Sequence, residues 1–220
     1  MRTVIFDLDG TLADTSGDLI AAANACFRAR GFENQLDPVV DATTAFHGGR
    51  AMLRLGFERL GISDVREVDT EYPNLLAYYS ENIDTFTRLY PGVLAALDRL
   101  EGRGYRLGIC TNKPVDLAET LLKRLQVHHR FGTLVGAGTL EVRKPDPAPL
   151  LLSIENLGGD VRQSVLIGDT VTDRDAAKNA GIPCVLVKFG PEGAGVSALE
   201  PAALLDHYDA LDVVVQQLIG

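Results

Sequence analysis

The chain has 220 residues, of which 46% are hydrophobic and 23% charged, and it carries a formal net charge of −9 at pH 7. That length can bury a good core, as one domain with an insertion or as two small ones, and the composition is that of a globular rather than a disordered protein. The acidic balance argues against nucleic acid, which needs a basic face, but not against small anions, since one local cation can dominate a pocket.

No apolar run approaches the roughly 20 residues that span a bilayer, so no membrane partner is expected. Met1-Arg2 leads directly into a strand-like run, which leaves no room for a secretory leader. Cys26, Cys110 and Cys184 are an odd set without a CxxC pair, so neither a disulfide framework nor a structural zinc site is suggested. A reducing cytoplasm is the expected location. Cys110 and Cys184 fall in apolar runs and read as buried, inert thiols.

In chain order, Val4–Phe6 is the first predicted strand, and it runs straight into Asp7, Asp9, Gly10 and Thr11. Burying carboxylates at the end of an apolar strand is costly unless cations or hydrogen bonds compensate them. From Ser16 to Thr87 there is helical periodicity and no convincing strand: Leu19, Ile20, Ala23 and Phe27, then Met52, Leu53, Phe57 and Leu60, then Leu75, Leu76 and Tyr79. Roughly 70 residues is far beyond an ordinary loop, so this reads as an inserted all-helical domain. Within it, Gly48-Gly49 breaks the pattern between His47 and Arg50, at the expected start of a helix. That basic pair is a candidate for an anionic substrate end, Arg50 supplying the fork; the other reading is a surface turn with a solvated arginine.

Tyr90-Pro91-Gly92 marks the return to the main domain. Val93, Leu94, Leu97 and Leu100 predict a helix. Leu107–Cys110 predicts a strand followed by Thr111, Asn112 and Lys113, with Lys113 read as a surface residue. A helix carrying Leu117, Leu121, Leu122 and Leu125 comes next, and His128-His129 reads as its solvated end. After a weaker strand at Thr133–Gly138 come Arg143, Lys144, Pro145 and Asp146, and then a helix with Leu150, Leu151, Ile154 and Leu157. The strand Val165–Gly168 ends on Asp169, Thr170, Thr172 and Asp173, of which Thr172 or Asp173 could cap the helix running into Ala176–Ala180. Cys184–Val187 is the last predicted strand. Gly190–Gly195 is a loop by composition, and His207 carries no evident chemistry. Strands alternating with helices imply an α/β fold, a doubly wound, mostly parallel sheet of Rossmann-like type. The expected division is 1–15 with 88–220 for this core and 16–87 for the helical insertion.

In such sheets chemistry collects beyond the carboxyl ends of the strands. Asp7, Asp9, Thr111, Asn112, Lys144, Asp169 and Asp173 would meet there. The acids repel one another unless a divalent cation sits among them, and hard oxygen ligands with room for water and phosphate suit Mg²⁺.

"DLDGT", "TNK", the lysine of "RKPDP" and "GDTVTD" together resemble the four motifs of the haloacid dehalogenase superfamily, in order and over nearly the whole chain. "FDLDGTLADT", "YPGV", "KPDP" and "GDTVTDRDAAKNAGIP" are similar to its phosphoglycolate phosphatase-like branch, in which the insertion would be a cap. The resemblance implies that Asp7 attacks phosphorus and carries an aspartyl-phosphate, while Asp9 protonates the leaving alcohol and later deprotonates water. It implies Mg²⁺ held by the Asp7 carboxylate, the Asp9 backbone carbonyl and Asp169, with Asp173 ligating through water or partnering Lys144. Lys144, Thr111 and Asn112 would hold the phosphoryl group.

The expected partner is a small-molecule phosphomonoester, phosphoglycolate or a sugar phosphate, acted on by a monomer or homodimer. Two alternatives stand beside a phosphatase: a phosphomutase using the same intermediate, and a catalytically inactive phosphate-binding or switch protein. A true dehalogenase is disfavoured, because carbon–halogen cleavage needs no acid such as Asp9.

Overall fold

The computed structural model describes residues 1–220. In chain order it begins with β1 (Thr3–Phe6) and the two-residue β2 (Ala13–Asp14). Four helices follow: α1 (Ser16–Ala29), α2 (Ala42–Phe46), α3 (Gly49–Arg59) and α4 (Val65–Glu81). After β3 (Arg88–Leu89) helices and strands alternate, through α5 (Val93–Gly102), β4 (Arg106–Pro114), α6 (Val115–Arg124) and β5 (Thr133–Ala137). Then come α7 (Ala148–Asn156), β6 (Ser164–Gly168), α8 (Val171–Ala180), β7 (Cys184–Val187), β8 (Ala203–Leu205) and α9 (Leu211–Ile219). The chain divides into two units, Met1–Ala13 with Leu89–Gly220, and Asp14–Arg88. No helix is long and apolar enough to cross a membrane.

The larger unit holds a six-stranded sheet in the order β5-β4-β1-β6-β7-β8, with every neighbouring pair parallel. From β1 the chain first builds outward through β4 and β5, then returns to the other side for β6, β7 and β8. The direction of winding therefore reverses beside β1, and in open α/β sheets ligands bind at such a reversal, beyond the carboxyl ends of the strands. Phe6 lies level with Ile109 and with Ile167, so β1, β4 and β6 deliver their following residues to one place.

β1, β6 and β7 are buried at every position, as strands covered by helices on both faces must be. On one face Ile5, Cys110, Leu166 and Leu186 pack with Leu150 and Ile154 of α7 and with Ala176 and Ala177 of α8. On α5 the buried stripe is Val93, Ala96, Leu97 and Leu100, while Leu94, expected inside, is exposed because it lies off the i, i+3, i+4, i+7 face. β8 was not anticipated. It is three residues long, pairs only with β7 and carries too short a pattern to read. β4 runs four residues past the expected Cys110, with a register break between Cys110 and Pro114.

The smaller unit is helical apart from the strand residues at its two borders. Phe27 of α1 meets Phe57 of α3 edge to face at 5.2 Å. A Cβ on Gly56 would strike the Phe27 ring, so glycine is what allows these helices to approach. Met52, Leu53, Leu75 and Tyr79 complete the core. Asp18, in the first turn of α1, is buried and accepts hydrogen bonds from Phe86 N (3.0 Å), Thr87 N (2.8 Å) and Thr87 Oγ1 (2.7 Å). It fastens the start of the insertion to its end.

Candidate active site

The segment after β1 leaves the sheet through a tight turn. Asp7 N still donates to Ile167 O (2.9 Å), and then Leu12 N and Ala13 N both donate back to Leu8 O (3.0 and 3.1 Å). Gly10 has φ 80°, and a Cβ there would collide with Asp169 Oδ2, so the position demands glycine twice over. Thr11 Oγ1 donates to Asp169 Oδ1 at 2.8 Å, tying the turn to the end of β6. From far along the chain, Tyr208 Oη donates to Thr11 O at 2.7 Å.

At the end of β6, Thr170 caps α8, not Thr172 as the pattern suggested. Asp173 is the third residue of the helix and returns the contact: its Oδ2 accepts from Thr170 Oγ1 (2.7 Å), Thr170 N (3.1 Å) and Asp169 N (3.2 Å). Its Oδ1 accepts from Lys144 Nζ at 2.6 Å. The same ammonium lies 3.0 Å from Asp7 Oδ1. Lys144 is 3% exposed, and burial alone would push it towards neutrality, but Asp173 and Asp7 outweigh that and hold it firmly charged.

The acids are under the opposite pressure. Burial pushes Asp7 up to about 6; Lys144 opposes this, while Asp173 and Asp9 add to it. Burial, joined by the charges of Asp173 and Asp7, pushes Asp169 well above the usual carboxylate range. Ligand atoms of Asp7, Asp169 and Asp173 lie within 4.8 Å of one another. Asp169 Oδ2 is buried without a hydrogen-bond partner. A carboxylate oxygen left so within an acidic cluster fits a hard divalent cation.

Beyond β4, Asn112 Nδ2 donates to Lys144 O at 2.9 Å, so this amide fixes the lysine's backbone. Thr111 Oγ1 accepts from Lys113 N at 3.1 Å, which leaves its own O–H to donate. Lys113 is not on the surface. It is 7% exposed, and its Nζ lies 2.9 Å from Asp9 Oδ1. The surface reading assumed that the strand ended at Cys110; β4 instead continues through a register break that re-aims the side chains after it.

Asp7, Asp9, Thr111, Asn112, Lys144, Asp169 and Asp173 thus belong to one unit. Direct contacts link Asp7, Asn112, Lys144, Asp169 and Asp173, with Tyr208 joining through Thr11, while Lys113 links Asp9 and Thr111. His47 and Arg50 belong to the helical unit. There Arg50 pairs with Asp69 and stacks over the Tyr72 ring at 4.1 Å, while His47 is exposed at the end of α2. His128 and His129 lie in a short 3₁₀ turn, and His207 Nδ1 accepts from Asp209 N at 3.2 Å. Burial pushes the Cys110 thiol up to about 11, which keeps it neutral near pH 7. Nothing in the local sequence marked either Lys113 or Tyr208 as part of this group.

The family model of haloacid dehalogenase-like hydrolases matches residues 4–187. Phosphoglycolate phosphatase of Mesorhizobium japonicum is 40% identical over 214 residues, covering 96% of this chain and 92% of that protein. Its counterpart of the same name from Agrobacterium fabrum is 37% identical over 212 residues, covering 94% and 89%. The crystal structure of a predicted phosphoglycolate phosphatase from Haemophilus somnus 129pt is similar with a TM-score of 0.87 at 25% identity, covering 98% of each chain. A subfamily IA hydrolase from Geobacter sulfurreducens, with a TM-score of 0.75 at 23% identity over 97% of this chain and 99% of that one, shares the fold. Matched by the family model over most of its length and by curated phosphatases over nearly all of it, the chain belongs to the haloacid dehalogenase-like hydrolases and is a phosphatase.

Proposed function

We propose that this phosphatase hydrolyses the phosphomonoester of a small metabolite, phosphoglycolate or a sugar phosphate, through an aspartyl-phosphate on Asp7 and with Mg²⁺ as its cofactor. The observation that carries this is the sharing of one buried ammonium, Lys144, between Asp7 at 3.0 Å and Asp173 at 2.6 Å. A cation fixed beside a nucleophilic carboxylate is where a phosphoryl group needs charge. Asp7 attacks phosphorus and the bond to the leaving oxygen breaks, its electron pair staying on that oxygen, which takes a proton from Asp9. Water then attacks the phosphorus, Asp9 takes back a proton, and Asp7 is released as carboxylate with free phosphate. Lys144 and the Thr111 hydroxyl bind the phosphoryl oxygens, and Asn112 steadies Lys144 from behind.

The donor set suits magnesium: Asp7, Asp169 and the Asp9 backbone carbonyl would hold it. When bound, the ion supplies positive charge to the phosphoryl oxygens and to the crowded carboxylates. Asp173 already has Lys144 on one oxygen and three donors on the other, so its proposed role is to aim Lys144.

Phosphoglycolate leads among substrates because curated relatives matched along nearly their full length are named for it. His47 and Arg50 are proposed to receive the substrate's far carboxylate, for which Arg50 must exchange Asp69. Arg50→Ala should then raise KM for phosphoglycolate about tenfold and leave uncharged-tail esters unchanged. The cytoplasm remains the proposed location, in keeping with three free, buried cysteines.

The test is a phosphate-release assay over a panel of metabolite esters and an aryl phosphate, with and without Mg²⁺. Release that needs Mg²⁺ and falls at least about 1,000-fold in Asp7→Asn is expected. Isomerised product without phosphate would favour a mutase, and no turnover of any ester would favour an inactive phosphate binder.

A further inference from the structure

We propose that Lys113 is a positioning residue that holds Asp9 in line with the leaving oxygen; this rests on the phosphatase reading above. Lys113 Nζ lies 2.9 Å from Asp9 Oδ1, with the two side chains 4% and 20% exposed. A lysine that only needed a counter-charge would keep its ammonium in water, where its rotamer freedom and hydration cost nothing. Here the backbone beneath it is set instead. Thr111 Oγ1 accepts from Lys113 N, and the register of β4 breaks between Cys110 and Pro114. β5 presents Gly136, where a Cβ would sit 2.9 Å from Lys113 O, so only a residue without a side chain lets the strands close at this point. The two lysines are divided between the acids: Lys144 serves Asp7 and Asp173, and Lys113 serves Asp9.

That division matters because Asp7 and Asp9 are two residues apart and have different tasks. Asp9 must come within about 2.6–3.2 Å of one particular oxygen to transfer a proton. Its neighbour Gly10 has no side chain to brace it. In the first step the Asp7 oxygen–phosphorus bond forms and the phosphorus–leaving-oxygen bond breaks. The released electron pair stays on the leaving oxygen, and the proton held by Asp9 passes to it, leaving the Asp9 carboxylate. An ammonium fixed on one carboxylate oxygen of Asp9 limits how far the group can swing away from that path.

The experiment compares kcat for alkyl and nitrophenyl phosphates in the Mg²⁺-loaded wild type, Lys113→Met, Lys113→Gln and Asp9→Asn. Nitrophenolate leaves without a proton, whereas an alkoxide does not. Lys113→Met should lose about 10–100-fold on alkyl esters and less than about threefold on nitrophenyl phosphate, the direction also expected of Asp9→Asn. Lys113→Gln, whose amide stops short of Asp9 and whose polar tip tolerates the site, should show the same selective loss and stands in should Lys113→Met not fold. An equal loss across both esters, or a raised KM with kcat kept, would overturn the positioning role. An active wild type whose variants keep its alkyl-to-nitrophenyl ratio sinks this inference alone. A wild type that hydrolyses neither ester sinks the phosphatase reading as well.

Discussion

Asp173 gives one carboxylate oxygen to Lys144, at 2.6 Å, and the other to the first turn of α8. One side chain therefore caps a helix and aims a buried cation. Asp173→Ala should destabilise the protein by about 3–5 kcal/mol, because it strands a buried charge as well as uncapping α8. Asp173→Asn should recover part of the stability but little of the activity, since its amide can accept at the cap yet leaves Lys144 with Asp7 as its one remaining acid. Urea unfolding and kcat, measured together, separate the two effects.

Gly10 is held at φ 80° against Asp169. Gly10→Ala should cost about 1–2 kcal/mol from the backbone alone, and the added methyl group must push Asp169 aside. A displacement of about 1 Å at a catalytic centre can cost about 100-fold in rate. The expected variant is folded and slow, with a thermal midpoint lowered by a few degrees. A variant as active as the wild type would mean that Asp169 can shift without consequence.

Asp169 Oδ2 has no partner, and burial drives its carboxyl far up. Thermal unfolding with a metal titration gives a readout independent of turnover. The wild type should gain about 2.7 kcal/mol at a Mg²⁺ concentration of 100 Kd, and Asp169→Asn should gain nothing. With chelator present, Asp169→Asn should be at least as stable as the wild type, because it replaces a carboxyl whose charged form burial disfavours and keeps an acceptor for Thr11.

Much of this arrangement is legible from residue order, for a physical reason. Parallel strands covered on both faces must be apolar throughout, so Val4–Phe6, Val165–Gly168 and Cys184–Val187 stand out, and the polar residues immediately beyond the first two mark the candidate site. What is not legible depends on partners distant in the chain. β8 exists only because β7 offers an open edge. Lys113 is drawn inside by a break in strand register that no local pattern records. Thr170, not Thr172, caps α8 because Asp173 reaches back to it. Arg50 reads as a free cation until Asp69 and Tyr72 are brought beside it.

Asp212, in the first turn of α9, meets Arg99 Nε at 2.8 Å and Arg103 Nη2 at 2.6 Å. Burial raises its carboxyl, but the Arg99 hydrogen bond and the charges of Arg103 and Arg99 outweigh it, so the net shift is downward. A carboxyl lowered in the folded state adds stability above the unfolded value of about 3.9 and loses it as pH falls through the folded value. The stability gap between wild type and Asp212→Asn should be constant above about pH 5 and shrink below about pH 4. Denaturant midpoints across that range check the sign.

The hydrogen bond from Tyr208 to Thr11 spans 197 residues of sequence. A ribosome adding about 5–20 residues per second takes roughly 10–40 s to travel that far. For all that time the nascent turn after β1 lacks its buttress, and for most of it Lys144 and β6 have not yet been made either. The candidate catalytic centre is thus among the last things this polypeptide finishes, although its first acid is among the earliest residues made, so a ribosome stalled late in synthesis should hold a chain that is largely folded and still inert.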